Sequence, residues 1–289
     1  MNNLFIILVT YNNQKTIKNV VESIGKKYYK NILIVDNNST DSTLLIVSKY
    51  RSLTIIKNKI NLGYGAGNNV GIKAALKKGA KFLLILNPDV ILYKNFFKNI
   101  YKYISGKYKF SIVGPKIYKE DGSIWSMGGV LDKKRYTADL LYYGKKDNKD
   151  INSLIFKEID FVSGTAMLVK TEVFLKIGFF KEDYFLYYED VDFCVRAIQA
   201  GLSLIVDPLL KIIHFESSSV GKNSQMMQYY LARNHLLFVE RLAPKYSLFR
   251  EFIRFPKTFW QHYKRDEKFA NLGIRDYLLR RFNKNDYWS

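Results

Sequence analysis

The sequence predicts an α/β protein with a mostly parallel central sheet, flanking helices and a helical C-terminal extension. Three features carry this prediction. Short apolar runs rich in β-branched residues recur through the first third of the chain. Stretches with apolar residues at helical spacing separate these runs, and polar clusters follow three of them.

Leu4–Val9 (LFIILV) reads as a buried strand, short and continuously apolar. Lys15 to Ile24 places Ile17, Val20, Val21 and Ile24 on one helical stripe. Ile32–Val35 is the second strand, and Thr40 or Asp41 is placed to cap a helix running toward Tyr50. Leu53–Lys57 is a weaker third strand. Gly67 to Lys78 reads as a helix with Val70, Ala74, Ala75 and Leu76 inside, and Phe82–Leu86 as the fourth strand. Alternating strands and helices form parallel units with right-handed crossovers. Ligands of such sheets lie beyond the carboxyl ends of the strands. That singles out Thr10-Tyr11-Asn12, Asp36-Asn37-Asn38 and Asn87-Pro88-Asp89, which converge on one edge.

After Asn95 the pattern is irregular. Ile112–Val113, Ile117–Tyr118 and Phe161–Val169 read as strands of a mixed second half, and residues 132–152 as a surface loop. Asp190–Ala200 reads as a helix with Val191, Val195 and Ile198 on its core face and Gly201 just past its end. Leu204–Val206 and Ile212–Phe215 are further strands. From residue 225 onward, apolar residues at helical spacing are mixed with thirteen Lys and Arg, six acids and interleaved aromatics.

The length of 289 residues suits one large domain with an appendage, and the 48% hydrophobic content excludes a disordered chain. The single Cys194 excludes an internal disulfide; beside Val191 and Val195 it reads as a small buried hydrophobe. The net charge of +20 favours phosphate-bearing or lipid partners, although Lys-rich composition alone produces the same balance. No stretch reaches the roughly 18 apolar residues of a membrane span, and Thr10-Tyr11-Asn12 break the first apolar run too early for a signal peptide. The expected location is cytoplasmic, at the inner face of the membrane.

Several clusters can carry chemistry. Asp36 ends a strand, where it can accept hydrogen bonds from a base or ribose; the run after it is equally a turn and cap signature. The glycines between Asn61 and Gly71 can let backbone approach a diphosphate, but a dinucleotide fingerprint follows the first strand, not the third. Asp89 is placed to hold a divalent cation against a diphosphate, and Asn-Pro-Asp is also a turn signature. Glu189, Asp190 and Asp192 open a helix, where acids suit the dipole; one of them can equally deprotonate an attacking hydroxyl, and a helix start keeps it ionised. His214 follows a strand and precedes the polar run Glu216-Ser217-Ser218-Ser219, which favours a metal-ligand role.

Together these residues resemble a known family. Val9-Thr10-Tyr11-Asn12, Val35 through Asp41, Asn61-Leu62-Gly63 through Asn69 and Gly71, and Asn87-Pro88-Asp89-Val90 are similar to the first half of family 2 glycosyltransferases. Ser163 through Met167, Tyr188 through Asp192 and Arg196 are similar to the second half, in the rhamnosyltransferase-like members. The resemblance implies a GT-A fold over residues 1–224, with a nucleotide-binding half at 1–95 and an acceptor half at 96–224, followed by the extension at 225–289. It implies inverting transfer from a dTDP- or UDP-sugar to a glycolipid or glycan, assisted by Mg²⁺ or Mn²⁺. Thr10, Tyr11, Asn12, Asp36, Asn61, Gly63, Asn69, Asn87 and Gly164 are then substrate- or nucleotide-binding residues, and Asp89 and His214 metal ligands. Asp190 is then the base, with Glu189 and Arg196 in support. Asn87 stands where other members carry the first acid of Asp-x-Asp.

A nucleotidyltransferase is the first alternative, but its Gly-rich basic loop is missing after the first strand. A non-enzymatic polyanion binder leaves the strand-end acids unexplained, and no nucleic-acid-binding signature is present. The basic aromatic extension is expected to contact the membrane surface, or else to cap the domain and form a homodimer.

Overall fold

A computed structural model describes residues 3–148, 158–215 and 224–285. Its first half follows the apolar pattern closely. Strands β1 (Leu4–Thr10), β2 (Ile32–Asp36), β3 (Thr54–Lys57) and β4 (Phe82–Leu86) alternate with helices α1 (Ile17–Ile24), α2 (Thr43–Val47) and α3 (Tyr64–Lys77). The four strands are parallel in the order β3-β2-β1-β4. β1 and β2 are buried throughout because helices cover both faces.

Two readings of this half need correction. α2 is five residues long; Asp41 accepts the Thr43 N–H at 2.9 Å instead of starting a helix that reaches Tyr50. α3 starts at Tyr64, so the glycine run is helical. A Cβ on Gly67 would stand 2.7 Å from Val9, and one on Gly71 2.6 Å from Ile7. These glycines bring helix against sheet, not backbone against a diphosphate. The buried face of α3 is accordingly Ala66, Ile72 and Ala75, with Val70, Ala74 and Leu76 partly exposed.

The second half is mixed. β5 (Val90–Leu92) and α4 (Phe96–Ile104) follow Asp89; neither was expected, although Phe96, Ile100 and Tyr103 recur at helical spacing and form the buried face of α4. β6 (Ile112–Tyr118) is one strand where two were expected. β7 (Ile124–Ser126) pairs with β6, and β8 (Gly129–Leu131) pairs with β9 (Ala138–Leu140), a strand inside the expected loop. β10 (Ala166–Lys170) starts later than Phe161, and α5 (Thr171–Ile177) follows it. α6 (Glu189–Gln199) matches its prediction, except that Ile198 is 39% exposed. β11 (Leu204–His214) joins two expected strands across a register break between Asp207 and Lys211. The sheet runs β3-β2-β1-β4-β10-β6-β11-β5, with β10 antiparallel to both neighbours and β5 antiparallel to β11.

Three helices follow: α7 (Gln225–Leu242), α8 (Lys245–Lys264) and α9 (Lys268–Leu278). α7 packs against α6, and α8 and α9 pack on α7. Cys194 is fully buried, its sulfur facing the Val162 backbone, and burial pushes the thiol well above its ordinary range. It is the small core residue expected.

Candidate active site

The donor-side loops are tied to one another. β1 pairs with β2 so that Thr10 lies opposite Asp36, and its hydroxyl donates to the Asp36 carboxylate at 3.1 Å. The Ser39 N–H donates to the other carboxylate oxygen at 3.0 Å. The Asn12 side chain accepts the Thr40 N–H at 2.8 Å. The Asn37 amide donates to the Gly63 carbonyl at 2.9 Å, and the Asn61 side chain accepts the Gly63 N–H at 2.9 Å. Gly63 has φ +84°, and a Cβ there would overlap the Phe185 carbonyl.

Sheet topology assembles a second cluster. Asn87-Pro88-Asp89 links β4 to β5, and β5 pairs with β11 so that Val90 lies opposite His214. His214 Nε2 therefore stands 3.4 Å from Asp89 Oδ1. The imidazole packs edge-on to Trp125, 4.9 Å between centroids. His214 Nδ1 and Asn87 Oδ1 are buried with no hydrogen-bond partner among the described residues. A carboxylate oxygen and an imidazole nitrogen this close can share one divalent cation, and such ions take few protein ligands when substrate phosphates complete the shell. Among the described residues no group of three or more acids, His or Cys could hold a metal. Asp89 and His214 are therefore two candidate ligands, and a Mg²⁺ or Mn²⁺ here would need the rest of its shell from substrate or water.

The third cluster lies at the start of α6. Asp190 accepts the Gly164 N–H at 2.6 Å and the Val191 N–H at 2.8 Å. The Gly164 carbonyl accepts the Tyr64 hydroxyl at 2.5 Å. A Cβ on Gly164 would stand 3.2 Å from both Asp190 and the Tyr64 ring, so a larger residue would push the carboxylate away. Glu189 is 5% exposed, and one of its oxygens has no partner among the described residues. Burial, then the Asp190 charge, holds the Glu189 carboxyl well above its usual range. Burial also raises Asp190, against the pull of the Gly164 and Val191 N–H groups. The helix start therefore does not keep these acids easily ionised, because desolvation outweighs it. Asp190 has the donors that favour the anion, and Glu189 is the better proton holder.

The segment entering α6 is strained. Phe185, Tyr187 and Tyr188 have φ of +62°, +67° and +73°, a region that non-glycine residues seldom occupy. α7 holds them there. The Asn234 amide donates to the carbonyls of Tyr184, Leu186 and Tyr187 at 2.9, 2.7 and 2.9 Å. The fully buried Arg233 donates to those of Asp183 and Tyr184 at 3.1 and 2.8 Å.

Tyr11, Asn61, Gly63, Asn87, Asp89, Gly164, Glu189, Asp190 and His214 all line one cavity of about 690 Å³. Thr10, Asn12 and Asp36 stand outside that lining, organising the loops that form it. Asn69 and Arg196 also stand outside that lining. Asn69 uses its amide on the Phe180 carbonyl and Glu182, both at 2.9 Å. Arg196 is spent on Asp192 and the carbonyls of Ile177 and Phe179, at 2.6, 2.6 and 2.9 Å. Both brace the backbone that precedes α6. Residues 216–219 lie outside the described chain. Sequence reasoning missed Tyr64, Trp125, Asn234 and the cavity-lining Met226, Met227 and Tyr230. One signal was available: Arg233-Asn234 interrupts an otherwise apolar stripe.

Comparison with known proteins points to the family that the motifs resemble. The family model described as Glycosyl transferase family 2 matches residues 5–178, more than half of the chain. The low-salt glycan biosynthesis hexosyltransferase Agl10 of Haloferax volcanii is 28% identical over 242 residues, 82% of this chain and 75% of that protein. The N-acetylglucosaminyl-diphospho-decaprenol L-rhamnosyltransferase of Mycobacterium tuberculosis is 24% identical over 263 residues, 84% of each chain. Among solved structures, GalNAc-T7 with UDP, GalNAc and Mn²⁺ superposes with a TM-score of 0.63 at 16% identity, covering 83% of this chain and 48% of that one. This chain thus spans about half the length of that structure, and the shared fold is the GT-A fold that the motifs implied.

Proposed function

The chain belongs to glycosyltransferase family 2, and from that premise we propose that it moves a sugar from a nucleotide-diphosphate donor to an acceptor hydroxyl with inversion. Rhamnose from a dTDP donor is the first choice, with UDP-hexoses next; the acceptor is lipid-linked or a growing glycan. One observation carries the reading. Asp190 and the Asp89–His214 pair line the same cavity, at the sheet edge where ligands of such folds bind.

In this mechanism Asp190 accepts the proton of the acceptor hydroxyl as its oxygen attacks the anomeric carbon. The bond from that carbon to the diphosphate breaks, and the nucleoside diphosphate leaves with the electron pair. A single displacement inverts the anomeric centre. The two N–H groups on Asp190 orient its carboxylate, while burial and the Asp190 charge favour the neutral form of Glu189. A divalent cation held by Asp89 and His214 would neutralise charge on the departing diphosphate. The mycobacterial relative, an L-rhamnosyltransferase named for a lipid-diphosphate acceptor, supports the donor and acceptor choices, and a lipid-linked acceptor would be met at the inner membrane face. The nucleotidyltransferase and polyanion-binding readings are not favoured, because neither accounts for the family match.

A thermal-shift screen of sugar nucleotides with Mn²⁺, followed by NMR of the product, tests this. dTDP-rhamnose should raise the melting temperature and give a product of inverted anomeric configuration. Retention of configuration, or no response to any sugar nucleotide, would contradict it.

A further inference from the structure

Helix α8 presents a face that the described fold leaves largely exposed, with Trp260 and Tyr263 at its far end lining a cavity shared with Ile274 and Leu278 of α9. Tyr246, Phe249, Phe252, Ile253, Trp260 and Tyr263 are between 44% and 72% exposed. At about 100° per residue they fall on one arc about 120° wide. Lys264, Lys257 and Arg250 border that arc within about 40° on one side. The Lys264 ammonium sits 3.8 Å from the Trp260 ring centroid, and the Arg250 guanidinium 5.7 Å from that of Tyr246. The only carboxylate of α8 is Glu251, which is 7% exposed and paired with Arg254 at 3.1 Å. The exposed arc is therefore apolar, aromatic and edged by cations alone.

We propose that this face of α8 docks on an anionic lipid surface, with the helix lying in the plane of the headgroups. The rings then enter the interface while Lys257, Lys264 and Arg250 meet lipid phosphates. Charge argues against a second copy of this chain as the occupant, since pairing two such faces sets cations against cations. No described helix is long and apolar enough to cross a membrane, so the contact is interfacial. α8 packs on α7, and α7 supplies Met226 and Tyr230 to the catalytic cavity. Docking thus holds the cavity one helix away from the lipid surface. Its purpose rests on the proposed lipid-linked acceptor, but docking itself does not, so the test contains neither donor nor acceptor.

The full chain is floated with phosphatidylcholine vesicles prepared with or without phosphatidylglycerol. The wild type should float with the anionic vesicles and detach as salt is raised. Ile253→Glu/Trp260→Glu and Lys257→Glu/Lys264→Glu should each weaken flotation by about tenfold or more while keeping the helical circular dichroism signal. Three results would overturn the proposal: no flotation of the wild type, flotation of both variants equal to that of the wild type, or a wild-type dimer that binds no vesicles and that Ile253→Glu/Trp260→Glu splits into monomers. The last would assign the face to a second copy.

Discussion

The two ends of the catalytic cavity are built differently. At the donor end, each polar group sits within a few residues of a parallel strand's end, and neighbouring loops satisfy one another: Thr10 with Asp36, Asn12 with Thr40, Asn37 with Gly63. At the acceptor end, Glu189 and Asp190 follow backbone with unfavourable φ angles. That backbone keeps its shape through Arg233 and Asn234, which lie more than forty residues further along the chain. The first end is held by strand pairing, the second by a clamp from outside the sheet. The C-terminal extension is therefore tied to the backbone that leads into the proposed catalytic helix.

The sharpest way to break this contrast is to remove the base. Asp190→Asn should cut turnover by about 10²–10⁴-fold and leave donor affinity, measured by calorimetry, near the wild-type value. The clamp comes next. Asn234→Ala frees the carbonyls of Tyr184, Leu186 and Tyr187, and misplacing Asp190 by about 1 Å can cost about 10²-fold. Donor binding should fall less than turnover, because the clamped segment meets the donor-side loops through Phe185, whose carbonyl accepts the Tyr64 N–H beside Gly63. Equal losses in donor binding and turnover would show that the two ends are not independent. The reverse pattern is expected at the donor end, where Asp89→Ala should weaken Mn²⁺ and donor binding together, by about tenfold or more.

The donor end was legible in the sequence for the same reason that it is self-contained. Strand periodicity located Thr10, Asp36 and Asp89, and topology alone put them on one edge. The acceptor end was legible only as the Glu189-Asp190 pair. Its strained approach, the Gly164–Tyr64 contact and the α7 clamp all depend on pairing across long stretches of chain, which local periodicity does not report. The glycine run misled because helix-against-sheet packing and backbone-against-phosphate contact demand the same residue. Asn69 and Arg196 misled because a motif position need not touch substrate.

The smallest expected effect is on stability against pH. Burial lowers His235 from 6.5 to about 4, helped by the charge of Arg254, and its ring meets the Tyr188 hydroxyl at 3.2 Å. The unfolded chain therefore binds a proton that the folded chain refuses between those values. Stability should fall as pH drops from 6.5 toward about 4. His235→Gln should flatten that slope in chemical denaturation, and an unchanged slope would show that other groups set it.

The central claim is that one cavity holds the metal-bound diphosphate against Asp89 and His214 while Asp190 faces the reacting sugar. A crystal soaked with Mn²⁺ and an unreactive donor analogue, read by anomalous scattering, tests this directly. The account predicts a manganese peak within ligand distance of both Asp89 and His214, with the anomeric carbon turned toward Asp190. A peak away from that pair, or a sugar with Asp190 behind its leaving group, would contradict it.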